Sequence, residues 1–429
     1  MISSVAGECR IVMADIVLAL QRGHWPSVIG AWLHLVVSFM VWLLMGALSL
    51  TLAQDLRLSQ ADTALVVALP LLSGAIFRVV AGWSSDWYGA KPTGVLILIA
   101  ELAIVVWGWL GVQSYAELLL VALLLGVGGA SFAVTLPVAG RTYPAAHQGL
   151  VLGIVASGNV GTMLVFFLAP RLAVSGGWHN VFGWMILPIL ITLGIFLFLV
   201  RDDRQSRQAE RDTHWWHSVA VMIQHPKAYW LCGLYAVTFG GFVGFCSITP
   251  LLFHEQYQAN GIVAGSIAAL CGLAGSLIRP LGGHAADRIG GLRTLLLALF
   301  LVVALVAALG EVTEMVLAAV LTVAAVGAMG VGNGVILQLA SEWFPKQIGL
   351  ASGVVGAAGG IGGFLLPLWL GALKEMSGSY RAGLWVFALV AGCAWGTVLL
   401  AERRARRPVG SMAGGEVFPV DSEGVKKQC

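Results

Sequence analysis

Gly74-Ala-Ile-Phe-Arg78-Val-Val-Ala-Gly82-Trp-Ser-Ser-Asp86-Trp-Tyr-Gly89 returns 201 residues later as Gly275-Ser-Leu-Ile-Arg279-Pro-Leu-Gly-Gly283-His-Ala-Ala-Asp287-Arg-Ile-Gly290. Glycine, arginine and aspartate keep one register through both copies, and Gly126 with Gly327 and Pro144 with Pro345 extend it. The chain is an internal duplication. Each copy starts in an apolar run, so Arg78 and Arg279 are cations inside hydrophobic sequence. A water-soluble domain carries roughly 25% charged residues; this chain of 429 has 10%, with 59% hydrophobic residues. Such a composition cannot cover a surface in water, and the chain belongs in lipid.

Apolar runs near 29–53, 62–82, 93–112, 116–138, 148–170, 179–200, 228–253, 261–282, 294–310, 314–338, 347–372 and 381–401 approach the roughly 20 residues that cross a bilayer as a helix. Backbone groups in lipid must bond within their own segment, which makes helix the default. The expected fold is an all-α membrane protein of twelve transmembrane helices. A segment at 1–28 precedes a six-helix bundle at 29–200. A polar linker at 201–227 leads to a second bundle at 228–401 and a tail at 402–429. Two six-span repeats of the same topology imply halves related by an axis along the membrane normal, as in alternating-access carriers.

Orientation follows from the basic residues. With both termini cytoplasmic, Arg57, Arg171, Lys374 and Arg381 alone of the 24 Lys and Arg fall in outside loops, and Arg78 and Arg279 alone fall within spans. A net charge of +3 gives no reason to expect nucleic acid. The six cysteines are scattered without a Cys-x-x-Cys pair, so neither a disulfide framework nor a metal site is expected. The stretch Ile11 to Leu20 is short and broken by Asp15, unlike a cleavable signal. His214-Trp-Trp-His217 reads as an interfacial helix rather than a metal pair. No P-loop, nucleophile elbow or other catalytic constellation appears, so the chain is not expected to be an enzyme or to need a cofactor.

An arginine near mid-membrane costs roughly 2.5–3.5 kcal/mol on insertion scales. Glu101 is the one clearly internal acid, and Asp86 and Asp287 lie about 12 Å along the helix from their arginines. At least one guanidinium therefore lacks a protein counter-ion, and pseudo-symmetry sets both across the axis from each other. Their natural occupant is an anion. A planar fork of donors favours a small flat oxyanion, which it can grip through two oxygens. Glycines four residues to either side of each arginine let neighbouring helices come close.

Ser38-Phe-Met-Val-Trp42, Leu69-Pro-Leu-Leu-Ser-Gly74 through Arg78, Gly82-x3-Asp86-x2-Gly-Ala-Lys91, Gly128-Gly-Ala-Ser-Phe132 and the glycine clusters of spans five and eleven resemble the nitrate/nitrite porter family of the major facilitator superfamily. The resemblance runs from about residue 30 to 400 and is similar in spacing to assimilatory-type members. Where some branches carry a glutamine, this chain has the apolar run 162–170.

The resemblance implies that Arg78 and Arg279 hold nitrate and that Phe132 and Phe239 sandwich its plane. It further implies that Tyr235 and Asn159 hydrogen-bond to the ion, while Gly129, Gly158, Gly359, Gly362 and Gly363 line or pack beside it. Gly82, Asp86, Gly283 and Asp287 would form a conformational lock, with the aspartates on helix N-termini or cations. The favoured expectation is proton-coupled nitrate import by a rocker-switch carrier, with nitrite also transported, acting as a monomer in the cell (inner) membrane. Glu101 and His34 are the protonatable candidates. A nitrate/nitrite antiporter, or a carrier for a small carboxylate such as formate or oxalate, is the alternative.

Overall fold

The computed structural model describes residues 23–201, 224–344 and 348–405. Cys9, His214, His217, Cys429 and most of the expected N-terminal segment, linker and tail lie outside the described residues. Among the described residues every regular element is helical.

Helix α1 is Trp25–Trp42 with the short continuations Leu44–Ala47 and Ser49–Asp55. Next come α2 (Gln60–Tyr88), α3 (Ala90–Leu110) and α4, whose pieces Tyr115–Leu125 and Phe132–Gly140 are joined by a 3-10 turn, Gly126–Ser131. Helix α5 is Ala145–Ala156, a second 3-10 turn Ser157–Val160 and the start of Gly161–Leu199. That long run breaks at Gly177 (φ 75°, ψ 164°), and its remainder is α6. The second half repeats the plan: α7 (Pro226–Tyr257), α8 (Gly261–Leu277 and Arg279–Ile289), α9 (Gly291–Leu309), α10 (Met315–Trp343), α11 (Ile348–Ser377) and α12 (Arg381–Ala405). The twelve spans follow the apolar runs, and α11 reaches five residues past the expected end at 372.

The two ends of the bundle are named here by the linker: residues 90, 140, 200 and 290 lie at the linker end, residues 57, 113, 177 and 258 at the far end. Far-end helix starts are capped by side chains. Ser59 Oγ accepts from the Asp62 N–H at 3.1 Å, and Asn260 Oδ1 from Val263 at 2.9 Å. Ser114 and Glu117 form a reciprocal capping box. At the linker end Gly89 (φ 105°) and Gly290 (φ 94°) make the matched turns into α3 and α9, a backbone conformation that favours glycine. Leu96, Leu187, Phe300, Leu389 and Leu400 are exposed on the outer face, the inverse of a soluble protein and as lipid requires.

The halves meet mainly through α2 with α11 and α5 with α8. These seams close towards the far end on glycines. A Cβ built at Gly265 would stand 2.6 Å from Pro170 Cγ, one at Gly272 2.8 Å from the Met163 nitrogen, and one at Gly360 2.9 Å from the Leu71 carbonyl oxygen. Towards the linker end the seam parts. No described atom lies within 4 Å of a Cβ built at Gly82, Gly153, Gly283 or Gly353. The linker-end piece of α8, Arg279–Ile289, packs chiefly on α9 and α10 of its own half.

Candidate functional site

At the level where the seam opens, α2 and α8 deliver the two arginines. Arg78 is 2% exposed and Arg279 6% exposed, so both are taken out of water as well as lipid. No carboxylate pairs with either among the described residues.

Backbone holds Arg78. The 3-10 turn of α4, rich in glycine, points the Gly129 carbonyl at the guanidinium, and that oxygen accepts from Nε at 3.1 Å and Nη2 at 2.9 Å. Nη1 donates across the seam to the Gly356 carbonyl of α11 at 2.6 Å. A Cβ at Gly356 would stand 2.8 Å from that nitrogen, so glycine is what lets the two halves join here.

Arg279 is different. Its Nε, Nη1 and Nη2 are all buried without a hydrogen-bond partner among the described residues. A desolvated cation with unused donors is costly, and the side chain is offset by ring faces, Phe239 at 5.3 Å and Phe242 at 5.9 Å, and by the nearby Tyr235 hydroxyl. Arg78 sits 5.6 Å from the same Phe239 ring. Both Cζ atoms thus lie within about 11 Å of each other, and the two charges repel. Tyr235 interacts electrostatically with both guanidiniums.

Aromatic rings wall the space. Phe239 is stacked by Tyr235 at 5.0 Å and 5° between planes, and on Trp42 at 6.4 Å and 18°. Phe132 and Phe239 each lie 5.6 Å from Arg78, one from either half. A second ring of the first half, Trp42, lies nearly parallel to Phe239. Trp42 is fully buried, lies 5.7 Å from Arg78 and donates its indole N–H to the Pro70 carbonyl at 2.7 Å. Gly74 and Gly129 both give way to its ring, each with a built Cβ 2.7 Å away. Trp42→Ala is expected to destabilise the protein by about 3–5 kcal/mol through the cavity it leaves. Trp42→Phe should cost about 1 kcal/mol, the indole hydrogen bond alone. Thermal unfolding in detergent checks both.

The remaining expected residues divide. Asn159 is buried with both amide atoms unpartnered, on the α5 3-10 turn that packs against α8. Since Gly272 of α8 faces Thr162, one turn along α5 brings Asn159 to the level of Ser276, one turn short of Arg279. Gly359 packs on the Tyr235 and Phe239 rings. Gly158 lies instead against Leu35 and Trp32 of α1, Gly362 against the Ala236 backbone and Gly363 against Val243, so these three are packing positions. Asn333 of α10, buried with both amide atoms unpartnered and next to Gly334, which packs on the Arg279 carbonyl, was not expected. An amide in an otherwise apolar span was the signal for it.

At the linker end Asp86 pairs with Arg141 at 3.5 Å. Asp287 accepts from the Gln338 amide at 2.7 Å. Gln338 also donates to Glu342 at 3.2 Å, and Glu342 holds the register position of Arg141. The duplicated aspartates are charge-paired in one half and amide-bridged in the other.

A family model described as Major Facilitator Superfamily matches residues 30–335 and 231–425. The probable nitrate/nitrite transporter NarK2 of Mycobacterium tuberculosis is 33% identical over 402 residues, 92% of this chain and all of the relative. The nitrite extrusion protein of Bacillus subtilis is 30% identical, covering 84% of this chain and 90% of the relative. The chain belongs to the nitrate/nitrite porter family of the major facilitator superfamily. It is a multi-pass membrane carrier, not an enzyme. The porter's fold is also that of the E. coli xylose transporter XylE in a partially occluded inward-open conformation, with TM-score 0.71 at 16% identity over 88% of this chain and 97% of the other.

Proposed function

We propose that the porter moves nitrate, and nitrite with it, across the cell membrane by alternating access, importing nitrate together with a proton. The observation that carries this is Arg279: three buried donor atoms without a hydrogen-bond partner among the described residues, beside a second guanidinium and between aromatic rings. A flat oxyanion satisfies those donors, neutralises part of the repulsion between the arginines and fits between ring faces, which a tetrahedral sulfate or phosphate does not. The excess of Lys and Arg on the linker side orients that end to the cytoplasm. The conformation described, closed at the far end and parted at the linker end, is then cytoplasm-facing.

Binding lowers the barrier to bringing the two arginines together, so the loaded carrier rocks more readily than the empty one. Asp86 with Arg141, and Asp287 with Gln338, are the lock positions that this rocking rearranges. The name of the Bacillus subtilis relative favours one second reading, exchange of nitrite outward for nitrate inward.

Purified porter in liposomes tests the assignment. Nitrate self-exchange is expected, inhibited by nitrite and unaffected by equal sulfate, formate or oxalate. Stronger inhibition by formate or oxalate than by nitrite would transfer the protein to the small-carboxylate carriers. Acceleration of nitrate entry by internal nitrite, with no pH change, would favour exchange over symport.

A further inference from the structure

A second polar cluster lies beside the arginine layer and the anion site does not use it. Glu101 of α3 is fully buried, and neither carboxyl oxygen has a hydrogen-bond partner among the described residues. Ser38 of α1 lies beside the carboxyl, since the Ser38 carbonyl oxygen and Glu101 Oε1 both flank a Cβ built at Gly128. The Ser38 hydroxyl stands 3.2 Å from His34 Nδ1, and His34 Nε2 stands 3.0 Å from the Gly94 carbonyl oxygen. His34 and Ser38 are also fully buried, with the Phe196 ring edge-on to the imidazole at 4.8 Å.

The donors in this chain run one way. A carbonyl only accepts, so His34 Nε2 carries hydrogen. In a neutral imidazole Nδ1 then accepts, and the Ser38 O–H points to it. What Ser38 turns towards Glu101 is its oxygen lone pair, which suits a carboxylic acid and repels a carboxylate. An ionised Glu101 would stand in the bilayer interior with no donor and no cation. The described state is therefore the one with a proton on Glu101.

That proton has a path. Once the carboxyl and the Ser38 hydroxyl close to hydrogen-bond distance, the Glu101 O–H bond breaks as its hydrogen bonds to the Ser38 oxygen, and the original Ser38 hydrogen passes to His34 Nδ1. The products are a carboxylate, an unchanged hydroxyl and an imidazolium. Gly94 lies about 6 Å and Glu101 about 16 Å along α3 from its linker-end start at 1.5 Å per residue, so the relay leads from mid-membrane towards the linker end.

The cluster touches the anion site through one turn of α4. A Cβ at Gly128 would stand 3.3 Å from Glu101 Oε1 and 2.6 Å from the Ser38 carbonyl oxygen. The next residue, Gly129, holds Arg78. Of the elements packed on Glu101, α1 offers His34, the α4 turn offers no titratable group, α6 offers Phe196 at His34, and α2 offers Arg78 through Gly129.

We propose that Glu101, Ser38 and His34 form a proton relay, and that its proton crosses the membrane one-for-one with the anion held by Arg78 and Arg279. This rests on the anion-carrier reading above. Two guanidiniums and one carboxylate leave a single positive charge in the empty, proton-free site. One proton on Glu101 and one monovalent anion leave the same charge, so both rocking steps move equal charge and transport is electroneutral. Import then escapes the opposition of roughly 2.3 kcal/mol per 100 mV that a lone anion meets.

Full-length porter, Glu101→Gln and Glu101→Asp are compared in proteoliposomes for nitrate counterflow at equal concentrations, and for acid-driven nitrate accumulation with an internal pH dye and a potassium–valinomycin clamp. The wild type is expected to accumulate nitrate with internal acidification at a rate independent of the clamped potential. Glu101→Gln should lose accumulation by about tenfold or more while keeping counterflow, and Glu101→Asp should recover part of it. Accumulation retained in Glu101→Gln, or uptake that follows the potential, overturns the relay. Wild-type counterflow with no acid-driven accumulation and no internal acidification overturns the relay alone, whereas absence of wild-type counterflow sinks the anion reading and the relay together. Should Glu101→Gln not fold, infrared difference spectra of the wild type on nitrate addition at neutral pH decide. A rising carboxylic-acid band that shifts in D2O and moves in Glu101→Asp supports the proposal, and its absence overturns it.

Discussion

Replacing Arg279 by Lys is expected to weaken nitrate binding by about 10- to 150-fold, and replacing it by Leu to abolish transport while raising the melting temperature of the nitrate-free porter. Charge-assisted hydrogen bonds contribute about 1.5–3 kcal/mol each, and a lysine ammonium cannot reproduce the planar pair that a guanidinium presents to two oxygens of one anion. The stability half follows from the same atoms. Arg279 leaves three donor atoms buried without a hydrogen-bond partner among the described residues, so the folded, anion-free state bears a desolvation that rings and the Tyr235 hydroxyl offset only in part.

Arg78 should behave oppositely in stability. It satisfies the Gly129 and Gly356 carbonyls, and Arg78→Leu would strand both acceptors and remove a hydrogen bond that crosses from α2 to α11. Arg78→Leu is therefore expected to lose transport and melt earlier. Differential scanning fluorimetry with and without nitrate, beside radiolabelled uptake, reads all four quantities. An Arg279→Leu porter that still gains stability from nitrate would remove Arg279 from the binding site.

The contrast between the two arginines shows where the sequence stops being informative. Span number, the duplication and the two buried cations could be read from hydropathy and one repeated register, because charge in lipid is costly enough to leave a mark. The asymmetry could not. Arg78 is satisfied by carbonyls of Gly129 and Gly356, and no residue type marks a free carbonyl; the 3-10 turn that frees one depends on packing against Trp42, Ser73 and Ser38. Trp42 was quoted among the family motifs yet gave no sign of its place, since a tryptophan in an apolar run looks like any core or interface residue. Its stacking with Phe239 joins α1 to α7, a tertiary fact. The breaks in α1 at Leu43 and Leu48 carry no proline, and Gly46 between them looks like any other packing glycine. Gly158, Gly362 and Gly363 show a second difficulty, because a glycine that lets helices touch and a glycine beside a ligand look the same in sequence.

Gly272→Leu and Gly265→Leu are expected to hold the porter open at the far end and cut transport about 100-fold without removing the anion site. In the closed seam a Cβ at Gly272 would already stand 2.8 Å from the Met163 nitrogen and 2.9 Å from Thr162 Cγ2, and one at Gly265 2.8 Å from the Phe166 carbonyl oxygen. These are largely backbone atoms of the opposite half, so relief requires the halves to separate rather than a side chain to turn. Overpacking costs typically 1–3 kcal/mol, and two rocking states that differ by a few kcal/mol exchange dominance at that cost. The chain carries its own reporters. Cys271 precedes Gly272, Cys246 precedes the Ser247 that packs on Gly46, and both thiols are fully buried while the far end is closed. With the other four cysteines replaced by serine, maleimide labelling of Cys246 and Cys271 should be slow in the parent and fast in either leucine variant, and nitrate should still protect against thermal unfolding. Labelling as slow as the parent's, together with lost transport, would mean that the glycine seam is structural packing and not the surface on which the halves part.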